Sequence, residues 1–241
     1  MGSVVIVGAT GGIGAALVRR LRGVGVNLVL GARREEELSA LAEETGSVFQ
    51  VSDGSDFSSV EQLFSLARQR FGGVDGAVNL AGSLLLKPAH LTSTDEWDYT
   101  MRQNLTTAFN TLKAAVKAMT AGGSVVLVSS AAARTGLANH EAIAAAKAGV
   151  QGLTLSAAAS YASRGIRVNC VAPGLVATPL TARITGNEAA LKGSIGMHAL
   201  GRVGSGDDVA GAIAWLLNPE NSWITGQVVG VDGGLGTIRP R

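Results

Sequence analysis

Short apolar runs alternate along the chain with segments whose apolar residues recur every three or four positions. Val-Val-Ile-Val at 4–7 predicts a first strand, and a helix opens near Ile13. Further strands are expected at 26–32, 48–51, 74–80, 124–128, 166–171 and 227–231. Between them lie helical stretches at 34–44, 58–71, 99–119, 141–163 and 208–217; a shorter helix precedes the one at 99–119. In 58–71, for example, Val60, Leu63, Phe64 and Ala67 share one stripe. Near-continuous apolar strands separated by helices predict a mainly parallel sheet with helices on both faces. No linker, repeat or low-complexity tract divides the chain, so 1–241 is expected to form one doubly wound α/β domain with seven strands.

Ligands of such sheets bind beyond the strand carboxyl ends, where strand order reverses. Between the first strand and first helix stands a glycine turn, Gly8-x-x-x-Gly12-x-Gly14, with Thr10, Gly11 and Ile13 inside it. Glycines let the backbone come close to a pyrophosphate, and the following helix start offers it unpaired N–H groups and a partial positive charge. The same edge is expected to carry Arg33, Asp53, Asn79 and Ser130.

Several motifs together give the chain a resemblance to the short-chain dehydrogenase/reductase family along essentially its whole length. The glycine turn is similar to the family's cofactor turn, with Val7 where a threonine is usual. Asp53-Gly54-Ser55-Asp56 resembles the stretch beside the adenine, and Asn79-Leu80-Ala81-Gly82 resembles Asn-Asn-Ala-Gly with a leucine exchanged. Asn104 sits in a Gln-Asn-Leu context like that of the active-site helix asparagine. Pro173-Gly174, with Val176 and Thr178 after it, are implied by the resemblance as further cofactor-binding residues, as are Asn79, Ala81 and Gly82, and Val231-Asp232-Gly233-Gly234 completes the pattern. The resemblance implies a Rossmann-like dinucleotide-binding fold. It also implies a substrate lid at 177–206, with apolar Leu180, Ile184, Leu191, Ile195 and Met197 suggesting an apolar substrate. The helices at 105–119 and 142–162 correspond to those that pair subunits in the family, so a homotetramer or homodimer is expected.

One departure bears directly on chemistry. The family carries Tyr-x-x-x-Lys with a serine thirteen residues before the tyrosine. Lys147 and Ser130 are present, and the position thirteen after Ser130 is Ile143. In the family the tyrosine donates a proton to the substrate oxygen as hydride arrives, with its pKa lowered by the lysine ammonium. Isoleucine has no proton to give. Tyr161 lies fourteen residues past Lys147, beyond reach, and Tyr99 precedes the helix of Asn104.

His140 is the candidate substitute. It precedes Lys147 by seven residues, about two helical turns, and enoyl-ACP reductases of this family place their tyrosine at that longer spacing. The competing reading puts His140 and Glu141 in a solvated loop with Asn139 capping the helix. The catalytic candidates are therefore Ser130, Lys147, Asn104 and His140. In the family the lysine also holds the nicotinamide ribose, so Lys147 counts among the cofactor candidates as well.

The second strand ends Gly31-Ala32-Arg33-Arg34 without the carboxylate that would bind the ribose hydroxyls of NAD. Arg33 and Arg34 suit a 2′-phosphate, so NADP(H) is favoured over NAD(H). Two functions stay open: an NADP(H)-dependent oxidoreductase reducing a carbonyl or activated C=C with an atypical proton donor, or an inactive NADP(H)-binding sensor or partner subunit.

Composition narrows the setting. With a net charge of +2, nothing argues for nucleic acid or an anionic membrane as partner. A single cysteine, Cys170, excludes an intrachain disulfide framework, and its apolar neighbours suggest a buried strand residue. The first strand begins too close to Met1 for a signal peptide, so a cytoplasmic protein is expected. No metal site is indicated. Trp97, Trp215 and Trp223 are expected in the core or at an interface.

Overall fold

The computed structural model describes residues 2–238. Its strands are β1 (Ser3–Val7), β2 (Asn27–Ala32), β3 (Val48–Val51), β4 (Gly76–Asn79), β5 (Gly123–Val128), β6 (Ile166–Pro173) and β7 (Val228–Val231). All pair in parallel in the order β3-β2-β1-β4-β5-β6-β7. The order reverses between β1 and β4, whose ends meet where Val7 lies opposite both Gly31 and Asn79. That is the expected single Rossmann-like domain.

Alternation of side chains along the strands splits the core into two layers. Val5, Val7 and Val29 face α3 (Phe57–Phe71), α5 (Thr107–Ala118) and α6 (Glu141–Tyr161). Val4, Ile6, Leu28 and Leu30 face α1 (Gly12–Gly23), α2 (Glu35–Thr45) and α9 (Gly206–Leu217). The stripe Val60, Leu63, Phe64 and Ala67 of α3 is fully buried, as its spacing predicts. Helix ends follow local chemistry. The Asp56 side chain accepts from the N–H groups of Ser58 and Ser59 to open α3, and Gly46, at φ 62°, closes α2.

Three sequence expectations change. The helix expected at 99–119 is α4 (Thr94–Met101) running into α5 through a π-helical turn, Arg102–Thr106. The polar region after β6 folds into two short helices, α7 (Ala182–Thr185) and α8 (Glu188–Met197). Of the core and interface positions expected for the tryptophans, the core falls away: Trp97 and Trp215 are about half exposed and Trp223 is 99% exposed. Cys170 is buried in β6, as expected. No helix among the described residues is long and apolar enough to cross a membrane.

Candidate functional site

The carboxyl ends of β1, β4, β5 and β6 gather the sequence-predicted residues along one edge. Gly8 opens the turn after β1 with φ 84°, and a Cβ there would lie 2.5 Å from the backbone nitrogen of Ala81. Only glycine lets the first turn pass so close to the end of β4. Thr10 and Gly11 continue the turn, α1 starts at Gly12, and Ile13 and Gly14 fall in its first turn. Gly12 in turn lies against Thr178, whose Cγ2 would be 2.8 Å from an added Cβ. The segment after β6 is thereby brought onto the glycine turn. Val176, buried, bridges to Gly204 in the same segment, which starts at Pro173 and Gly174.

At the outer end of the edge, the Asp53 carboxylate accepts from the Ser55 N–H and hydroxyl, both at 2.8 Å. Partial burial alone would raise its pKa; those two bonds and the neighbouring guanidiniums of Arg33 and Arg102 outweigh it and hold the carboxyl below its usual range. Arg34 is spent on an exposed ion pair with Glu37 at 2.6 Å, whereas Arg33 has no ion-pair partner among the described residues. Gly54 packs among Val7, Thr107 and Ala81.

Asn79 is buried, and its side chain bonds Thr107 (3.3 Å) and Thr111 (3.4 Å) of α5. Its amide thus ties β4 to α5. Gly82 leads from that strand between two candidates for chemistry: an added Cβ would stand 2.9 Å from Asn104 Oδ1 and 3.7 Å from Lys147 Nζ.

Asn104 sits in the π-turn, fully buried, with its side-chain nitrogen donating to Thr100 O (2.9 Å) and Ser83 Oγ (3.0 Å). Its oxygen accepts from Ser83 N–H at 3.2 Å. Such single-turn widenings of a helix are frequent at functional sites. Ser83 is a residue the sequence reading missed; its place right after Gly82 was the available signal.

Lys147 comes from the second turn of α6, and its ammonium donates to Val128 O at 2.9 Å. Burial strips water from the charged form and pushes its pKa down to about 8, with Cys170 pulling weakly the other way. Burial likewise pushes the Cys170 thiol up to about 11, which leaves it an inert neighbour. Ser130, just past β5, accepts the Ala132 N–H at 3.2 Å, so its own hydroxyl proton stays free for an acceptor.

His140 is the residue immediately before α6 and is half-buried. Asn139 does not cap the helix as one reading expected. It stands at φ 64°, the sole left-handed non-glycine among the described residues, and its carbonyl accepts from Lys87 N–H at 2.8 Å. This bend places His140 Nδ1 2.8 Å from Ala138 O. A carbonyl can only accept, so Nδ1 carries the proton and Nε2 is the acceptor nitrogen of the neutral ring. Ile143 is 4% exposed, packed into the interior one turn below. Tyr161 ends α6 under the Arg164 guanidinium, and Tyr99 is exposed. No group of three or more metal-ligating side chains occurs among the described residues.

Residues 8–236 match the family described as enoyl-(acyl carrier protein) reductase. The chain is 36% identical over 247 residues to 3beta-hydroxysteroid dehydrogenase 1 of Eggerthella lenta, covering 99% of this chain and 94% of that one. It is 35% identical over 242 residues to a 3-oxoacyl-(acyl-carrier-protein) reductase of Thermotoga maritima, covering 96% of each. Among solved structures, a variant actinorhodin polyketide ketoreductase with NADPH superposes with a TM-score of 0.92 at 29% identity, over 98% of both chains. Dehydrogenases and reductases thus match this sheet and its carboxyl edge from end to end, and the chain belongs to the short-chain dehydrogenase/reductase family of nicotinamide-dependent oxidoreductases.

Proposed function

We propose that the protein is an NADP(H)-dependent oxidoreductase that reduces a carbonyl or activated C=C of a small apolar substrate, with His140 as its proton donor. The cofactor part rests on the cradle formed by Gly8, Thr10, Gly11, Gly12, Ile13 and Gly14 and on Lys147. The Lys147 ammonium has three N–H bonds and one acceptor, Val128 O, which leaves two for a ribose diol. Arg33, beside Asp53 and without an ion pair among the described residues, suits a 2′-phosphate. NADPH in the ketoreductase complex supports the same choice. A bound nicotinamide would supply the hydride.

The observation that carries the chemical part is the His140 ring. Its Nδ1–H is fixed on Ala138 O, so a proton enters and leaves at Nε2 alone. In the imidazolium, Nε2–H donates to the substrate oxygen while Nδ1 keeps its bond. For a carbonyl substrate, this proton would complete the hydroxyl. For a conjugated C=C, Nε2–H and the Ser130 hydroxyl would hold the enolate oxygen, and water would protonate the α-carbon. Asn104, locked to Ser83 and Thr100, keeps the loop after β4 in register with Lys147.

A second reading, a dinucleotide-binding protein without turnover, is favoured by one fact: Ile143, at the family's tyrosine position, is buried and apolar. NADPH oxidation against ketones, β-ketoacyl thioesters and enoyl thioesters separates the two. Turnover by the wild type that His140→Ala abolishes supports the first reading. Tight NADPH binding without turnover, with activity gained by Ile143→Tyr, supports the second. Exposed Phe109 and Leu155 on α5 and α6 support packing between copies as a homotetramer or homodimer, which light scattering measures.

A further inference from the structure

His198 is 3% exposed, and the chemistry proposed above makes no use of it. It follows α8 directly, at the helix's C-cap position. Its Nε2 accepts the Leu175 N–H at 3.1 Å, and its Nδ1 lies 2.7 Å from Ser194 O. An N–H can only donate and a carbonyl can only accept, so the ring is fixed as the neutral Nδ1–H tautomer with both nitrogens satisfied.

The ring bridges two segments that have opposite partners. Ser194 belongs to α8, whereas Leu175 follows Pro173 and Gly174 on the way to Val176 and Thr178, and Thr178 lies against Gly12. The approach is tight: a Cβ on Gly174 would stand 2.6 Å from His198 Nε2. Around the ring the chain closes on itself. Gly204 N–H donates to Leu175 O at 2.8 Å, Ala177 N–H to Gly204 O at 2.9 Å, and Leu200 N–H to Gly233 O at 3.0 Å. Residues 178–203 therefore form a loop whose two ends are joined by a backbone clasp between 175–177 and Gly204, with His198 tying the end of α8 to that clasp.

We propose that His198 is a positioning residue that fastens the substrate-covering segment to the turn after β6, so that α8 is held in register with the cofactor cradle. This rests on the reading of 177–206 as the cover of the substrate site. The bond to Leu175 N–H is the element that acts. Without it, the cover loses its fixed angle, so substrate is held more weakly, while a bound cofactor, cradled chiefly by Gly8–Gly14 and Lys147, is affected much less.

The test compares wild type, His198→Leu and His198→Gln. Glutamine can offer an oxygen to the Leu175 N–H; leucine cannot. Hydrogen exchange is followed at Leu175 and along 188–198, and NADPH Kd, KM and kcat are measured in parallel. In His198→Leu, exchange should quicken at least tenfold at Leu175 and along α8 while β1, β4 and β5 stay unchanged. NADPH Kd should stay within twofold, KM should rise at least fivefold, and kcat should move less than twofold. His198→Gln should recover most of both effects. Unchanged exchange at Leu175 in His198→Leu overturns the proposal, as does faster exchange spread over the whole sheet, or loosened exchange with KM unchanged. Should the wild type turn over none of the substrates, the function proposed above fails on its own, and exchange at Leu175 and α8 still decides whether His198 is the fastening.

Discussion

The two halves of the carboxyl edge use their residues differently. Around β1 and β4 the work is done by backbone: Gly8 with its left-handed φ, the first turn of α1, and Gly82 leading past Asn104 and Lys147. Around β5 and α6 the proposed chemistry depends on single titratable atoms, and in the reading proposed above the buried Ile143 stands where the resemblance places the family's tyrosine. A cradle built of many weak, geometrically fixed donors tolerates exchanges such as Val7 for threonine. Proton transfer tolerates none, because removing one acidic group costs on the order of 10²–10⁴-fold in rate. Family membership thus carries over to cofactor binding more directly than to catalysis.

The comparison breaks hardest at Gly8. Gly8→Val forces a β-branched residue to φ 84° and sets a Cβ against the Ala81 backbone, so NADPH binding should disappear. Isothermal titration checks this, with circular dichroism showing whether the sheet survives.

Lys147→Met should weaken NADPH about tenfold or more and yet raise stability. The folded pKa of about 8 lies below the unfolded 10.5, so the buried ammonium is a net cost wherever the folded lysine is protonated. Between pH 8 and 10.5 the unfolded chain holds a proton that the folded chain lacks, so wild-type stability gains from this group as pH rises. Removing the charge should add on the order of 1–3 kcal/mol at pH 7 by urea unfolding, with the gain shrinking toward pH 10.

Arg33→Ala should weaken NADPH about tenfold and leave NADH within twofold, since a charge-assisted phosphate contact contributes about 1.5–3 kcal/mol at most. Equal losses for both nucleotides would remove Arg33 from cofactor choice. The smallest effect is a pH trend: as Lys147 loses its proton above about 8, NADPH Kd should rise a few-fold between pH 7 and 9.5, and Lys147→Met should show no such rise.

What the sequence disclosed tracks with what is local. Strands and helices were legible because apolar runs and three-to-four spacing are properties of neighbouring residues, and the stripe on α3 is the plainest case. The glycine turn stood out by its place between a strand and a helix, whereas Lys147 and Ser130 were singled out only through the family resemblance. The π-turn at Asn104 was not, because no residue type encodes the extra residue of the turn, and its side chain is held by Ser83 from another loop. Asn139 looked like a cap, the usual use of asparagine before a helix; its left-handed backbone instead goes with a carbonyl bonded to Lys87. His198 stood unnoticed among apolar residues of the segment after β6. Its role depends on Leu175, twenty-three residues earlier, coming within hydrogen-bond distance. For the tryptophans the sequence left core and interface open, and their exposure on outer helix faces and a loop removes only the core.

The most direct test is the rate of NADPH oxidation in a single turnover by wild type and His140→Ala, with NADPH affinity measured alongside and with whichever carbonyl or enoyl thioester the wild type reduces. If Nε2–H is the proton source, His140→Ala is slower by about 10²–10⁴-fold while its NADPH Kd stays within twofold. An unchanged rate in His140→Ala would contradict the account, and the proton would have to come from elsewhere at the β5–α6 end.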